Sequence, residues 1–114
     1  MREDLDRILD MIEMCDLLLQ HASRREVLDS DPVVQAAAQR WIEVLGEAAL
    51  HVSDEVKELG APIRWREIVG TRLILAHAYF RIDRNIVGGI VEEEIPRLRQ
   101  QLEDLLQLLQ DAAQ

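Results

Sequence analysis

A single cysteine, Cys15, stands in a chain of 114 residues, and one cysteine excludes an internal disulfide. It falls on the apolar stripe of the first predicted helix. That position reads as a buried structural thiol in place of a nucleophile or a metal ligand. Long apolar runs are missing as well: none approaches the roughly 18 residues that a membrane-spanning helix needs. The opening residues, Met1-Arg2-Glu3-Asp4-Leu5-Asp6, are rich in acids and lack an apolar core. No secretory signal is therefore expected, and the chain is expected to be cytoplasmic. Nowhere does a Val/Ile/Thr/Tyr-rich alternation run between turn signals, so no strand is predicted. Repeats, low-complexity tracts and linkers do not occur. A Gly-rich phosphate loop, a G-x-S-x-G elbow and a zinc-type Cys/His cluster are also lacking, and no metal site is expected.

What is present describes one helical domain over residues 1–114. Apolar residues make up 48% and charged residues 31%, which is the composition of a folded globular chain. At this length a chain buries roughly two thirds of its extended surface, enough for a core. The net charge of −9 argues against broad electrostatic coating of nucleic acid, which depends on Lys and Arg against phosphates. DNA is not an expected partner. The charge is uneven, however. Arg64, Arg66, Arg72, Arg81 and Arg84 face only Glu67 and Asp83 within residues 64–84, a local charge of +3 that leaves −12 for the rest. A confined basic region on an acidic body suits a local anionic ligand. Each of these arginines can equally pair with an acid on a neighbouring helix.

Taken in order, residues 2–20 predict an amphipathic helix with a stripe of Leu5, Ile8, Leu9, Ile12, Cys15 and Leu19. His21 to Asp29 reads as a polar connection that could extend the first helix. Ser30-Asp31-Pro32 is a helix start: Ser30 or Asp31 can cap, and Pro32 suits the first turn. The helix after it is expected to run to about Leu59, with Val34, Ala37, Ala38, Trp41, Leu45, Ala48 and Val52 inward. Gly46 within it predicts close approach of another backbone. Gly60 predicts a left-handed stop, supported by Pro62. Ile63 to Val69 predicts one or two helical turns, followed past Gly70 by an apolar helix from Thr71 to Arg81. Asp83 can cap a weak helix, Arg84 to Glu94, interrupted by Gly88-Gly89. Pro96 predicts a kink or a new start. Leu98, Leu102, Leu105, Leu106 and Leu109 form the stripe of the last helix. The expected architecture is all-α: an antiparallel, up-and-down four-helix bundle with an extra short helix. The Ala-rich second helix and Leu-rich last helix also suit burial against a second copy, so a homodimer is expected.

Chemistry concentrates at Arg72-Leu73-Ile74-Leu75-Ala76-His77-Ala78-Tyr79, an R-x4-H-x-Y pattern. An arginine can hold a phosphate with two parallel hydrogen bonds, and a histidine titrates near neutrality and can move a proton. On a straight helix Arg72 and Tyr79 lie within about 20° of each other, whereas His77 lies about 140° round from Arg72. One helix therefore does not set Arg72 beside His77. The bland alternative is a salt-bridged arginine and a satisfied core histidine. His21 and His51 have no ligand-spaced partner and read as surface or half-buried polar residues. Glu43 and Glu47 are spaced like a carboxylate metal pair but lack a Glu-x-x-His elsewhere, and read as solvated or paired with arginines. Glu92-Glu93-Glu94 reads as a solvated helical turn.

Three stretches occur in register. Arg40-Trp41-Ile42-Glu43-Val44-Leu45-Gly46-Glu47-Ala48-Ala49 comes first. Ile63-Arg64-Trp65-Arg66-Glu67-Ile68-Val69-Gly70 follows, and then Arg72, His77, Ala78-Tyr79-Phe80 and Asp83. Over about residues 2–110 this resembles the HepT-like branch of the HEPN superfamily (higher eukaryotes and prokaryotes nucleotide-binding domain). That branch carries I-E-x-x-G-E-A, P-W-x-x-I-x-G, R-x4-H-x-Y-F and an Asp in this order.

The resemblance implies a dimerising helical bundle that acts as a metal-independent endoribonuclease, the toxin of a type VII-like toxin–antitoxin pair. It implies RNA as substrate, tRNA among the candidates, and no cofactor in this chain. The implied partner is an MntA-like nucleotidyltransferase antitoxin that uses ATP to adenylylate Tyr79. Arg72 and His77 would be the nuclease residues, with Arg64, Arg66 and Arg81 as candidate RNA contacts. His77 would take the proton of a ribose 2′-hydroxyl or protonate the leaving oxygen, and Arg72 would stabilise the phosphorane-like charge. Two motifs facing each other across a dimer cleft would let Arg and His act on one substrate from two helices. An adenylyl group on Tyr79 would block that mouth by volume and charge. Two positions depart from the family pattern: Leu73 replaces a commonly polar residue, often Asn, and Thr71 stands where Met is frequent. Leu73 and the acidic body favour the alternative reading, a non-catalytic HEPN binding module that partners a nucleotidyltransferase.

Overall fold

The computed structural model describes the backbone of residues 2–76 and 84–112, with side chains for 3–71 and 85–112. Among them the chain is helical, without strands. The elements are α1 (Arg2–His21), α2 (Arg25–Ser30), α3 (Pro32–Leu50), α4 (Asp54–Leu59), α5 (Trp65–Ala76) and α6 (Arg84–Gly89), then a π-helical segment (Ile90–Glu94) and α7 (Ile95–Ala112).

Helix α1 begins with Glu3 and Asp4 in its first turn, where the helix dipole favours negative charge. Its buried side is Ile8, Met11, Ile12, Cys15 and Leu18, spaced by three and four residues as an amphipathic helix requires. The expected stripe is turned by a fraction of a turn. Leu9 is 45% exposed and Leu5 and Leu19 are half-buried, while Met11 and Leu18 take core positions. The apolar sector of α1 is broad enough that periodicity alone does not choose its centre. Packing does: α1 lies between α3 and α7.

The polar connection after α1 folds its own short helix, α2, which buries Leu28. Asp31 then caps α3 as expected, its carboxylate accepting the N–H of Val33 at 2.9 Å and of Val34 at 3.4 Å. Helix α3 buries Ala38, Ile42, Leu45, Gly46, Ala48 and Ala49 and packs against both α1 and α5. Trp41 is only half-buried. The helix does not continue to Leu59. It stops at Leu50, and Ser53 starts α4 by accepting the Val56 N–H. No glycine or proline marks this break. The cap is itself held from a distance in sequence: the Asp4 carboxylate accepts the Ser53 N–H and the Ser53 hydroxyl, each at 2.8 Å.

Gly60 ends α4 without the expected left-handed backbone, at φ −98° and ψ 39°. The requirement for glycine is steric. A Cβ there would lie 2.9 Å from Leu105 Cδ2 and 3.3 Å from Ile63 Cδ1. The Trp65 indole N–H donates to the Gly60 carbonyl at 3.1 Å, tying the start of α5 to the end of α4.

Helix α5 is one continuous helix where a short segment and a second helix were expected. Gly70 carries no left-handed turn, and the Thr71 hydroxyl donates back to the Glu67 carbonyl at 2.8 Å. A glycine within a helix costs only about 1 kcal/mol, less than the packing of α5 on α3 supplies. Pro96 falls at the second residue of α7, directly after an irregular segment, in keeping with the kink or new start expected there. It removes one N–H and crowds the carbonyl four residues earlier, and the chain answers by widening. Residues 90–94 are π-helical, the Ile95 N–H reaches back to Ile90 O, and α7 continues. π segments of this kind are a recognised way for a helix to absorb a local misfit. Leu98, Leu102, Leu105 and Leu109 are buried along α7, with Leu106 half-buried beside them.

Candidate active site

Helix α5 carries the first part of the R-x4-H-x-Y stretch. Its start at Trp65 places Arg72 in the second half of a twelve-residue helix, not at a helix beginning. For Arg72 and Leu73 the backbone is described. His77, Tyr79, Arg81 and the capping residue Asp83 lie outside the described residues, as does the side chain of Arg72. The relation between Arg72 and His77 is therefore an expectation only.

Toward Arg72, α5 forms one wall of a cleft of about 370 Å³. Arg64, Glu67, Ile68 and Thr71 line it from α5, at the i, i+3, i+4, i+7 positions of a single helix face. Ile42 and Leu45 of α3 contribute to the lining, and the facing wall comes from the π segment and α7: Ile90, Glu94, Ile95, Arg97, Leu98 and Gln101. Arg72 follows Ile68 by one turn of the same helix.

The walls are polar at the edge and apolar within. Arg64 and Glu67 are exposed. Arg97 pairs with Glu94 at 2.9 Å, while Arg64 and Arg66 make no ion pair among the described residues. Gln101 is held by its amide N–H, which donates to the Pro62 carbonyl at 3.2 Å. A groove with an apolar floor, a few fixed polar groups and two guanidiniums at its edge suits an organic anion. The sequence reading singled out Arg64 and Arg66 but missed Glu67, Thr71, Arg97 and Gln101. The spacing of 64, 67, 68 and 71 was a usable signal for the α5 wall. Nothing local foretold the α7 wall.

The remaining candidates behave as structural residues. Cys15 is fully buried, and burial pushes its thiol up to about 12, with Asp16 adding to the rise and Arg99 opposing it. His51 is exposed and lies 3.2 Å from Glu47. His21 is also exposed, its ring centroid 5.6 Å from that of Trp41. Glu43 pairs with Arg40 at 3.4 Å. With Arg7, Asp10 and His51, these residues border a second, polar hollow of about 450 Å³ between α1 and α3. No group of three or more His, Cys, Asp or Glu among the described residues could hold a metal ion. Of the acidic run, Glu92 accepts from Arg25 at 3.1 Å and Glu94 from Arg97. Glu93 is exposed and makes no ion pair among the described residues, in keeping with the solvated turn expected. No helix among the described residues is long and apolar enough to cross a membrane.

The chain is similar to known proteins along most of its length. The chain matches the family described as ribonuclease HepT-like over residues 8–105. It is 32% identical over 104 residues to a candidate ribonuclease HepT of Thermococcus cleftensis, covering 91% of this chain and 94% of the relative. A candidate RNase of Caldanaerobacter subterraneus subsp. tengcongensis is 31% identical over 99 residues, 85% of this chain and 88% of the relative. One from Methanocaldococcus jannaschii is 32% identical over 74 residues, 65% of this chain and 68% of the relative. No solved structure matches the chain significantly.

Proposed function

The chain belongs to the HepT-like ribonuclease family, and from that premise we propose that it is a metal-independent endoribonuclease, the toxin of a type VII-like toxin–antitoxin pair. The observation that carries this reading is the extent of the family match. Residues 8–105 include the whole R-x4-H-x-Y stretch, and the relatives named above carry ribonuclease names. In this reading His77 takes the ribose 2′-hydroxyl proton or protonates the leaving oxygen, and Arg72 stabilises the charge that develops on phosphorus. Arg64, Arg66 and Arg81 hold the RNA backbone. The domain works in the cytoplasm as an up-and-down four-helix bundle that pairs with a second copy, so that Arg72 and His77 of two helices serve one cleft. An MntA-like nucleotidyltransferase uses ATP to adenylylate Tyr79 and silences the site.

The test is cleavage of tRNA and mRNA in EDTA by purified protein, with Tyr79 shown by mass to be unmodified. Wild type should cleave, and Arg72→Ala and His77→Ala should not. Intact RNA with the wild type would defeat the reading. Leu73, apolar where the family pattern is commonly polar, favours a second reading: a non-catalytic module that binds a nucleotidyltransferase. That version predicts a tight complex with the transferase and no toxicity when the chain is expressed alone.

A further inference from the structure

We infer that the cleft between α5 and α7 receives one unpaired guanine nucleotide of the RNA, with Glu67 reading the base. The inference takes its ligand class from the ribonuclease reading. Everything else comes from the cleft. Its volume of about 370 Å³ falls in the range of small-molecule pockets. Ile42, Leu45, Ile68, Ile95 and Leu98 give it an apolar lining, against which the flat face of a base can be desolvated. Arg64 and Arg97 sit at its edge, where the phosphate of the same nucleotide would emerge. Among the charged lining residues Arg97 already pairs with Glu94, so the Arg64 guanidinium is the group at the edge left for the phosphate among the described residues. Arg72 follows Ile68 by one helical turn, so a nucleotide in the cleft lies next to the proposed cleavage motif.

Besides the Arg64 guanidinium at the edge and the second Gln101 N–H, the walls offer groups that accept. The Glu67 carboxylate makes no ion pair among the described residues, and an ionised carboxylate only accepts hydrogen bonds. Gln101 spends an amide N–H on Pro62 and keeps its carbonyl oxygen. The Thr71 hydroxyl donates its hydrogen to the Glu67 carbonyl and can only accept from a ligand. Guanine supplies two adjacent donors on one edge, N1–H and the N2 amino group, which a carboxylate takes as a pair. Adenine supplies one donor beside an acceptor nitrogen that the carboxylate repels.

Titration calorimetry of the full chain with 5′-GMP and 5′-AMP tests this without relying on catalysis. GMP should bind about tenfold more tightly than AMP, the order of discrimination that one paired base contact gives. Glu67→Gln, at an exposed position, should erase the preference while leaving thermal stability unchanged. Ile68→Trp, which fills the cleft, should abolish binding of both nucleotides. Equal binding of GMP and AMP, or a preference that survives Glu67→Gln, overturns the inference. So does an Ile68→Trp variant that binds GMP normally but has lost self-association in light scattering, because the cleft would then be a subunit interface. If GMP binds as described and RNA remains uncut, the ribonuclease reading fails and the pocket stands. If RNA is cut and GMP does not bind, the reverse holds.

Discussion

The Asp4 carboxylate holds Ser53 by both its backbone N–H and its hydroxyl, each at 2.8 Å across 49 residues of sequence. Asp4 is buried at the first turn of α1, and Ser53 caps α4. One carboxylate therefore joins the first turn of α1 to the residue that caps α4. Asp4→Ala leaves two donors short of a partner, and an unsatisfied buried group costs about 1–3 kcal/mol. The expected loss of stability in urea unfolding is of that size. A double-mutant cycle with Ser53→Ala should be non-additive, as it is for residues in direct contact. Additive losses would mean that the pair does not act as a unit.

Two glycines should respond to alanine with opposite signs. At Gly60 the new methyl would meet Leu105, a core residue of α7, at 2.9 Å, and overpacking of this kind costs about 1–3 kcal/mol. Gly70 lies inside α5 without a positive φ, and no described atom comes within 4 Å of where the alanine methyl would sit. There Gly→Ala should stabilise by roughly 0.5–1 kcal/mol through helix propensity. Thermal midpoints of the two variants check both signs. Combining Gly60→Ala with Leu105→Ala should recover part of the Gly60 loss.

Cys15 makes the fold sensitive to alkali. Burial raises its thiol to about 12 in the folded chain, whereas an unfolded cysteine ionises near 8.5. Between those values the unfolded chain has released a proton that the folded chain retains. The stability contributed by the neutral thiol is complete below about pH 8.5 and is lost as pH rises toward 12, by about 1.4 kcal/mol per unit. Urea midpoints at pH 7, 9 and 10 should fall more steeply for wild type than for Cys15→Ala. Equal slopes would show that Cys15 is not held protonated. In the native protein at pH 8.5, a thiol reagent should leave it unmodified.

Local sequence signals carried the fold where its cause is local. The α1 periodicity, the Asp31-Pro32 start of α3, the leucine stripe of α7 and the burial of Cys15 were all legible. They failed where the cause is remote or compensated. The break after Leu50 has a local sign in the Ser53-Asp54-Glu55 helix start, but the Asp4 contact that holds Ser53 is not visible near residue 50. Gly70 looks like a joint between two helices, but tertiary packing keeps α5 continuous. Gly60 was assigned to a backbone conformation, and its requirement is clearance for Leu105. The same division holds at the site. The R-x4-H-x-Y stretch and Arg64 were visible in sequence. The cleft was not, because Arg97 and Gln101 reach it from a helix some thirty residues further along the chain.

In the proposed reaction the chain cuts RNA through the ribose 2′-hydroxyl, with His77 moving the proton. The most direct measurement uses one RNA oligonucleotide and a copy of it carrying a 2′-deoxy sugar at the mapped cut, both incubated in EDTA with wild type and with His77→Ala. Wild type alone should cleave the all-ribose strand, leaving a 2′,3′-cyclic phosphate end, and the substituted strand should stay uncut at that position. Equal cleavage of both strands, or undiminished activity in His77→Ala, would contradict it.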